Sequence, residues 1–236
     1  MRASSMRSSS PMRVSVQALF LAALMECANC KRTQTTVGLV RGRSHASIFV
    51  VRPEITVPVG FHTAEEYREA VLAAYESITD SLQLVHASWH VDLVVFPELV
   101  LGGNSSLEID YLPVMSDWAK KLHCFMVFPF EEFSQELDAT GARRKFNSAA
   151  IFDRSGTQIS TYRKQRLTGN EKHMGFSEGG HGLTPVDAEF GRFAVLICQD
   201  IYYPVLWEAA HAAQVDMLIW PSALANYSPE GITHKE

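Results

Sequence analysis

The sequence predicts an α/β domain, and three observations carry that reading. Phe193 to Ile197 is an unbroken apolar run, the pattern of a strand buried on both faces. Asp92-Leu93-Val94-Val95-Phe96 is a second short strand of the same kind. Between such strands lie stretches with helical spacing, as alternating βα units require. The longest places apolar residues at Tyr67, Val71, Ala74, Ile78, Leu82 and Val85, after the capping-box pattern Thr63-Ala64-Glu65-Glu66.

Taken in order, Ser47 to Val51 reads as the first strand of a domain beginning near Ala46. The long helix follows, then the strand ending at Pro97-Glu98. Gly102-Gly103-Asn104 breaks the chain. A helix around Asp117 to Leu122 leads to a strand from Cys124 to Phe130, and the charged stretch Glu131 to Lys145 reads as a turn region. Ala149 to Asp153, the turn Arg154-Ser155-Gly156 and a strand ending at Lys164 come next. The strand ending at Cys198 follows a loop. A helix from about Val205 and a strand from Asp216 to Trp220 complete the pattern.

Three strand ends carry chemistry: Glu98, Lys164 and Cys198. A cysteine at the carboxyl end of a buried strand, just before a helix, sits where α/β folds open a crevice. Its bland alternative is a core cysteine. A thiolate there would be a nucleophile better than water, one that splits a difficult displacement into two easier steps through a covalent intermediate. Few thiols are ionised at neutral pH, and a neighbouring carboxylate such as Glu98 can take the proton.

Pro97-Glu98, Tyr162-Arg163-Lys164 and Cys198-Gln199-Asp200, with the flanks Phe146-Asn147-Ser148 and Trp220-Pro221-Ser222-Ala223, resemble the signatures of the nitrilase superfamily, the carbon–nitrogen hydrolases. The resemblance covers roughly residues 46 to 225. It implies an αββα sandwich, two sheets packed face to face with helices outside. It implies a hydrolase of non-peptide carbon–nitrogen bonds, an amidase acting on a small linear amide, with nitrilase or thioester-based N-acyltransferase chemistry as alternatives.

In that scheme Cys198 is the nucleophile of a thioester acyl-enzyme, Glu98 its base and Lys164 the cation that meets developing negative charge. The backbone N–H of Gln199 is a second donor. Some members carry a second glutamate after the lysine. Glu171 matches it and would orient Lys164 or the substrate amine; the competing reading is an ordinary loop acid. The scheme needs no metal and no cofactor. His173, His181 and His211 receive no role. The family also implies a dimer or larger assembly.

The sequence departs from the family pattern at Gln199, where an aromatic residue is common, and at Tyr202 and Val205 around Pro204. The Cys-x-Asp-Ile phrase and Glu189-Phe190-Gly191-Arg192-Phe193 are similar to the vanin and biotinidase-like branch. The resemblance implies further strands and a helix after Glu236, so the sandwich is expected to lack its C-terminal strands. A catalytically inactive partner or scaffold is the competing class of function.

Residues 1–45 read as a leader. Of the 21 basic residues seven lie before His45, but only Glu26 of the 26 acidic ones does. Arg2, Arg7 and Arg13 precede the apolar run Val14 to Met25, the pattern of a secretory signal peptide, with an organelle transit peptide or a disordered extension as alternatives. Secretion or the endomembrane lumen is therefore the expected location, with an organelle or the cytoplasm as alternatives. The run is too short and interrupted to predict a membrane span. Cys27 and Cys30 lack a second ligand pair, which argues against zinc. Asn104-Ser105-Ser106 and Asn226-Tyr227-Ser228 fit the glycosylation triplet. A charged content of 20%, acidic beyond the leader, argues against nucleic-acid binding.

Overall fold

The computed structural model describes residues 20–23, 33–38, 45–51, 90–98, 110–180 and 182–223, and eight helical positions between 66 and 87. Its strands are β1 (Phe20–Ala23), β2 (Thr33–Gly38), β3 (His45–Val50), β4 (Leu93–Val95), β5 (Phe125–Leu137), β6 (Arg143–Phe152), β7 (Gln158–Arg163), β8 (Val186–Ala188), β9 (Gly191–Val195) and β10 (Met217–Pro221). Its helices are α1 (Leu112–Leu122), α2 (Gly169–His173) and α3 (Pro204–Ala212). The strands form a six-stranded sheet ordered β2-β3-β4-β5-β6-β7 and a four-stranded sheet ordered β1-β10-β9-β8.

Side-chain alternation shows how the layers meet. Ile48, Leu93, Val95, Phe125, Val127, Ala149 and Ile151 face one way and share a core with Phe193, Val195, Ile197, Met217 and Ile219 of the other sheet. The intervening Phe49, Val94, Phe96, Met126, Phe128, Ala150 and Phe152 pack instead with Met115, Trp118, Ala119 and Leu122 of α1. A period of two thus serves two cores at once, which is why these strands read as continuous apolar runs. Leu206 and Ala210 of α3 join the first core. This is the α/β architecture of two face-to-face sheets that the motifs implied.

The differences from the sequence reading have physical causes. β5 and β6 extend well into the stretch read as a turn, because their outer ends form a hairpin whose charges pair with each other. Lys145 meets Glu131 at 2.9 Å, Arg144 meets Glu136 at 3.2 Å, and Arg163 of β7 donates to Glu132 at 3.0 Å and Glu136 at 2.6 Å. α1 begins earlier than predicted, with Pro113 in its first turn, where a missing N–H is harmless. β1 and β2 lie upstream of residue 46, so the sheets draw on the segment read as a leader. β2 is rich in β-branched residues and pairs antiparallel with β3; β1 is apolar and pairs in parallel with β10 at the edge of the small sheet. Of the long amphipathic stripe, Leu82 is buried as expected; its other members, the Gly102 break and the glycosylation triplets lie outside the described residues. Among the described residues no helix is long and apolar enough to cross a membrane.

The two sheets are clamped at the end opposite the strand carboxyl ends. Asp92, 3% exposed, accepts from Ser47 N–H at 3.0 Å and from Arg154 Nη2 at 2.7 Å. Arg154 also donates to the His123 carbonyl and pairs with Glu189, between β8 and β9. Burial pushes the Asp92 carboxyl up, but the Ser47 N–H and the Arg154 guanidinium outweigh it and hold the group below the usual carboxylate range. A carboxyl depressed in the native state stabilises the fold above its ordinary pKa and loses that contribution as pH falls through the native value. Asp92→Asn is therefore expected to lower unfolding free energy by about 1–3 kcal/mol at pH 7. Urea denaturation should show the gap closing below about pH 3. A gap that is unchanged by acid would contradict the assignment.

Candidate active site

On the inter-sheet face of β6 the apolar series Ile151, Ala149 gives way to Asn147 and Lys145. Across the ladder Glu131 pairs with Asn147, and Lys164 N–H donates to the Asn147 carbonyl at 2.8 Å. Core thus turns into site within one pair of residues. Glu98 follows β4, Lys164 follows β7 and Cys198 follows β9, all at strand carboxyl ends beside one another, as an α/β crevice requires.

The centre of the site is a buried cluster. Lys164, 1% exposed, donates through Nζ to Glu98 Oε1 at 2.8 Å and to Glu171 Oε1 and Oε2 at 2.8 and 2.9 Å. Asn147, fully buried, donates through Nδ2 to the same two oxygens, Glu98 Oε1 at 2.8 Å and Glu171 Oε1 at 2.7 Å. The second Glu98 oxygen accepts from Ala223 N–H at 2.8 Å. Glu171 closes a capping box at the start of α2, accepting from Thr168 N–H and Oγ1 at 2.8 and 2.9 Å. Burial works against the Lys164 charge, but Glu98 and Glu171 outweigh it and raise its pKa above the lysine value. Burial likewise opposes the Glu171 charge, and Lys164, Asn147 and the Thr168 N–H overcome it to hold the carboxyl low.

Cys198 stands on a sharp turn. Its φ of 43° is in the left-handed region, strained for a residue with a β-carbon, and it opens the 3-10 segment Cys198–Tyr202. Gln199 follows, so its N–H lies among the first of that segment, where backbone donors lack intrahelical partners. Trp220 Nε1 donates to the Cys198 carbonyl at 2.8 Å. Asp200, fully buried, ties this turn to the lysine loop: it accepts from Ile197 N–H at 3.1 Å, Tyr162 OH at 2.7 Å, and Gln165 and Arg166 N–H at 3.1 and 2.8 Å. The loop is also held by Gly179, whose N–H donates to the Lys164 carbonyl at 2.8 Å. A β-carbon there would lie 2.4 Å from the Arg163 carbonyl oxygen, so only glycine fits. Burial and then the Glu98 charge push the Cys198 thiol above its ordinary pKa, against Ser222 and Lys164.

The structure brings Glu98, Lys164, Glu171 and Cys198 together, with Gln199 next to the sulfur-bearing residue. Asn147, Asp200, Tyr162 and Thr168 received no role from the sequence. Their signal was present but faint: a lone amide in an apolar strand, and an acid two residues after a candidate nucleophile. Among the described residues no group of three or more His, Cys, Asp or Glu is placed to hold a metal ion.

The family model described as carbon-nitrogen hydrolase matches residues 34–233. An N-carbamoylputrescine amidase of Solanum tuberosum is 27% identical over 115 residues, 48% of this chain and 36% of the relative. The chain thus spans about a third of that relative's length. An amidase from Nesterenkonia sp. superposes with a TM-score of 0.61 at 19% identity, over 82% of this chain and 71% of that one. A variant of the Nesterenkonia sp. AN1 amidase that shows covalent addition of the acetamide moiety of fluoroacetamide at its active-site cysteine gives 0.57 at 18% identity, over 68% and 62%. At these identities the structural likeness shows the fold.

Cys124 is fully buried and its thiol is pushed up to about 12 by burial, whereas Cys198 is half-buried beside polar groups. Iodoacetamide at pH 7.5 is expected to alkylate Cys198 roughly tenfold or more faster than Cys124. Peptide mass mapping checks this, and preferential labelling of Cys124 would contradict the site.

Proposed function

This chain belongs to the carbon–nitrogen hydrolase family, and on that premise we propose that it is an amidase working through a thioester on Cys198. The observation that supports this reading most is the buried Glu98–Lys164–Glu171 cluster beside a cysteine held on a strained turn. Because burial and the Glu98 charge hold the thiol above its ordinary pKa, a base is needed. Glu98 takes the thiol proton as Sγ bonds to the amide carbon. Lys164, kept charged by two carboxylates, and the Gln199 N–H meet the charge that develops on oxygen. The C–N bond then breaks, Glu98 returns its proton to the departing nitrogen, and ammonia or an amine leaves. Water attacks the thioester with Glu98 as base, releasing the carboxylic acid and restoring the thiol. Glu171 orients Lys164. The substrate class is a small amide, in keeping with the amides named for the relatives.

We also propose that the basic, acid-poor start directs the chain to the secretory or endomembrane route, and that the molecule works as a homo-oligomer. Immunolocalisation and light scattering test these two points directly.

The activity is tested by steady-state kinetics on short aliphatic amides. Cys198→Ala abolishes turnover and Glu98→Gln nearly does. Lys164→Ala lowers kcat by about 10²–10³. It also loses roughly 3–5 kcal/mol of stability, because two carboxylates are left buried without a cation. The losses do not add, since the residues act as a unit. Normal turnover by Cys198→Ala would overturn the proposal.

A further inference from the structure

We propose that Asn147 is a positioning residue for the base: its amide, together with the Lys164 ammonium, locks Glu98 Oε1 against Glu171 and leaves Oε2 as the oxygen that serves the thiol. The inference rests on the reading of Glu98 and Cys198 given above and adds a residue to which that reading assigns nothing.

Four atoms form a closed ring. Glu98 Oε1 and Glu171 Oε1 are the two acceptors, and Lys164 Nζ and Asn147 Nδ2 are the two donors, with all four contacts between 2.7 and 2.8 Å. The orientation of the amide is forced by this ring, since turning its oxygen toward two carboxylates would set acceptor against acceptor. Both Asn147 amide hydrogens are spent on carboxylates, and Oδ1 is buried with no hydrogen-bond partner among the described residues. An unsatisfied buried acceptor is destabilising. A residue kept only for packing has no reason to carry one at a fully buried position between Phe146 and Ser148. The arrangement makes sense if delivery of both donors is the purpose.

The consequence falls on Glu98. With Oε1 engaged by two donors, the carboxylate cannot rotate without breaking both contacts. Its Oε2 accepts from Ala223 N–H at 2.8 Å, and a carboxylate oxygen has room for a second donor such as the Cys198 thiol, which lies within hydrogen-bonding reach of Glu98. The negative charge of Glu98 already opposes ionisation of the Cys198 thiol. An amide that partly neutralises that charge therefore keeps the thiol easier to ionise, and its loss makes ionisation harder.

The test uses the whole chain and iodoacetamide as probe, with the alkylation rate of the Cys198 peptide followed by mass spectrometry from pH 6 to 10. Two variants are compared with the native chain: Asn147→Leu, close in shape with no donor, and Asn147→Asp, close in shape with an added acid. Melting curves establish that each is folded. In either folded variant the midpoint of the pH profile is expected to rise by about one unit, with alkylation at pH 7 roughly tenfold slower. An unchanged midpoint and rate in a folded variant would overturn the proposal. So would failure of both variants to fold, because Asn147 would then be holding the domain and not the base. If the native chain shows no preference for Cys198 over Cys124, it is the hydrolase reading beneath the proposal that fails, and the two failures are distinguishable.

Discussion

The site depends on one buried ammonium. Lys164 Nζ is shared by two carboxylates, Glu98 and Glu171, in a place from which solvent is almost wholly excluded. Burying three charges is unfavourable unless each is paired and further hydrogen bonds complete the set. Here they do: Asn147 bridges the two acids, Ala223 N–H holds Glu98, and Thr168 holds Glu171. Each partner comes from a different part of the chain. The cluster therefore forms only when β4, β6, β7, α2 and the end of β10 are all in register. Fold and site are specified by the same contacts.

Cys198 is placed by a second node, Asp200. Its two oxygens take donors from the cysteine turn, from Tyr162 of β7 and from the loop after Lys164. The left-handed backbone at Cys198 is strained, and this network is what holds it. The two nodes divide the work. Lys164 gathers the charged groups on the six-stranded sheet, and Asp200 brings the small sheet's cysteine to them. The thiol pKa follows from the same geometry: burial and the Glu98 charge raise it more than Lys164 and Ser222 lower it. In the proposed scheme a thiol so placed needs a base, and Glu98 is the carboxylate that lies beside it.

Much of this was legible in the sequence. Strands such as Leu93–Val95 and Gly191–Val195 announce themselves because both faces are buried, and the residues at their ends stand out as polar stops. The hairpin beyond Phe130 was illegible because its side chains are charged. Strand pairing there is supported by ion pairs that only the register reveals. β1 and β2 were hidden by the basic composition around them. Glu171 read equally well as a loop acid, since a helix of five residues has no periodicity to detect. Asn147 could not be given a role at all: its meaning lies in two carboxylates that are 49 and 24 residues away in sequence.

The central claim is that Glu98 and Lys164 serve a covalent step at Cys198. It is tested most directly by rapid acid quench of the chain with a short aliphatic amide, followed by mass analysis of the peptides that contain Cys198 and Cys124. The account predicts a transient acyl adduct on Cys198 alone, which decays as free acid appears and is absent in Glu98→Gln. Hydrolysis of the amide with no adduct on Cys198 at any time, or an adduct on Cys124, would contradict it.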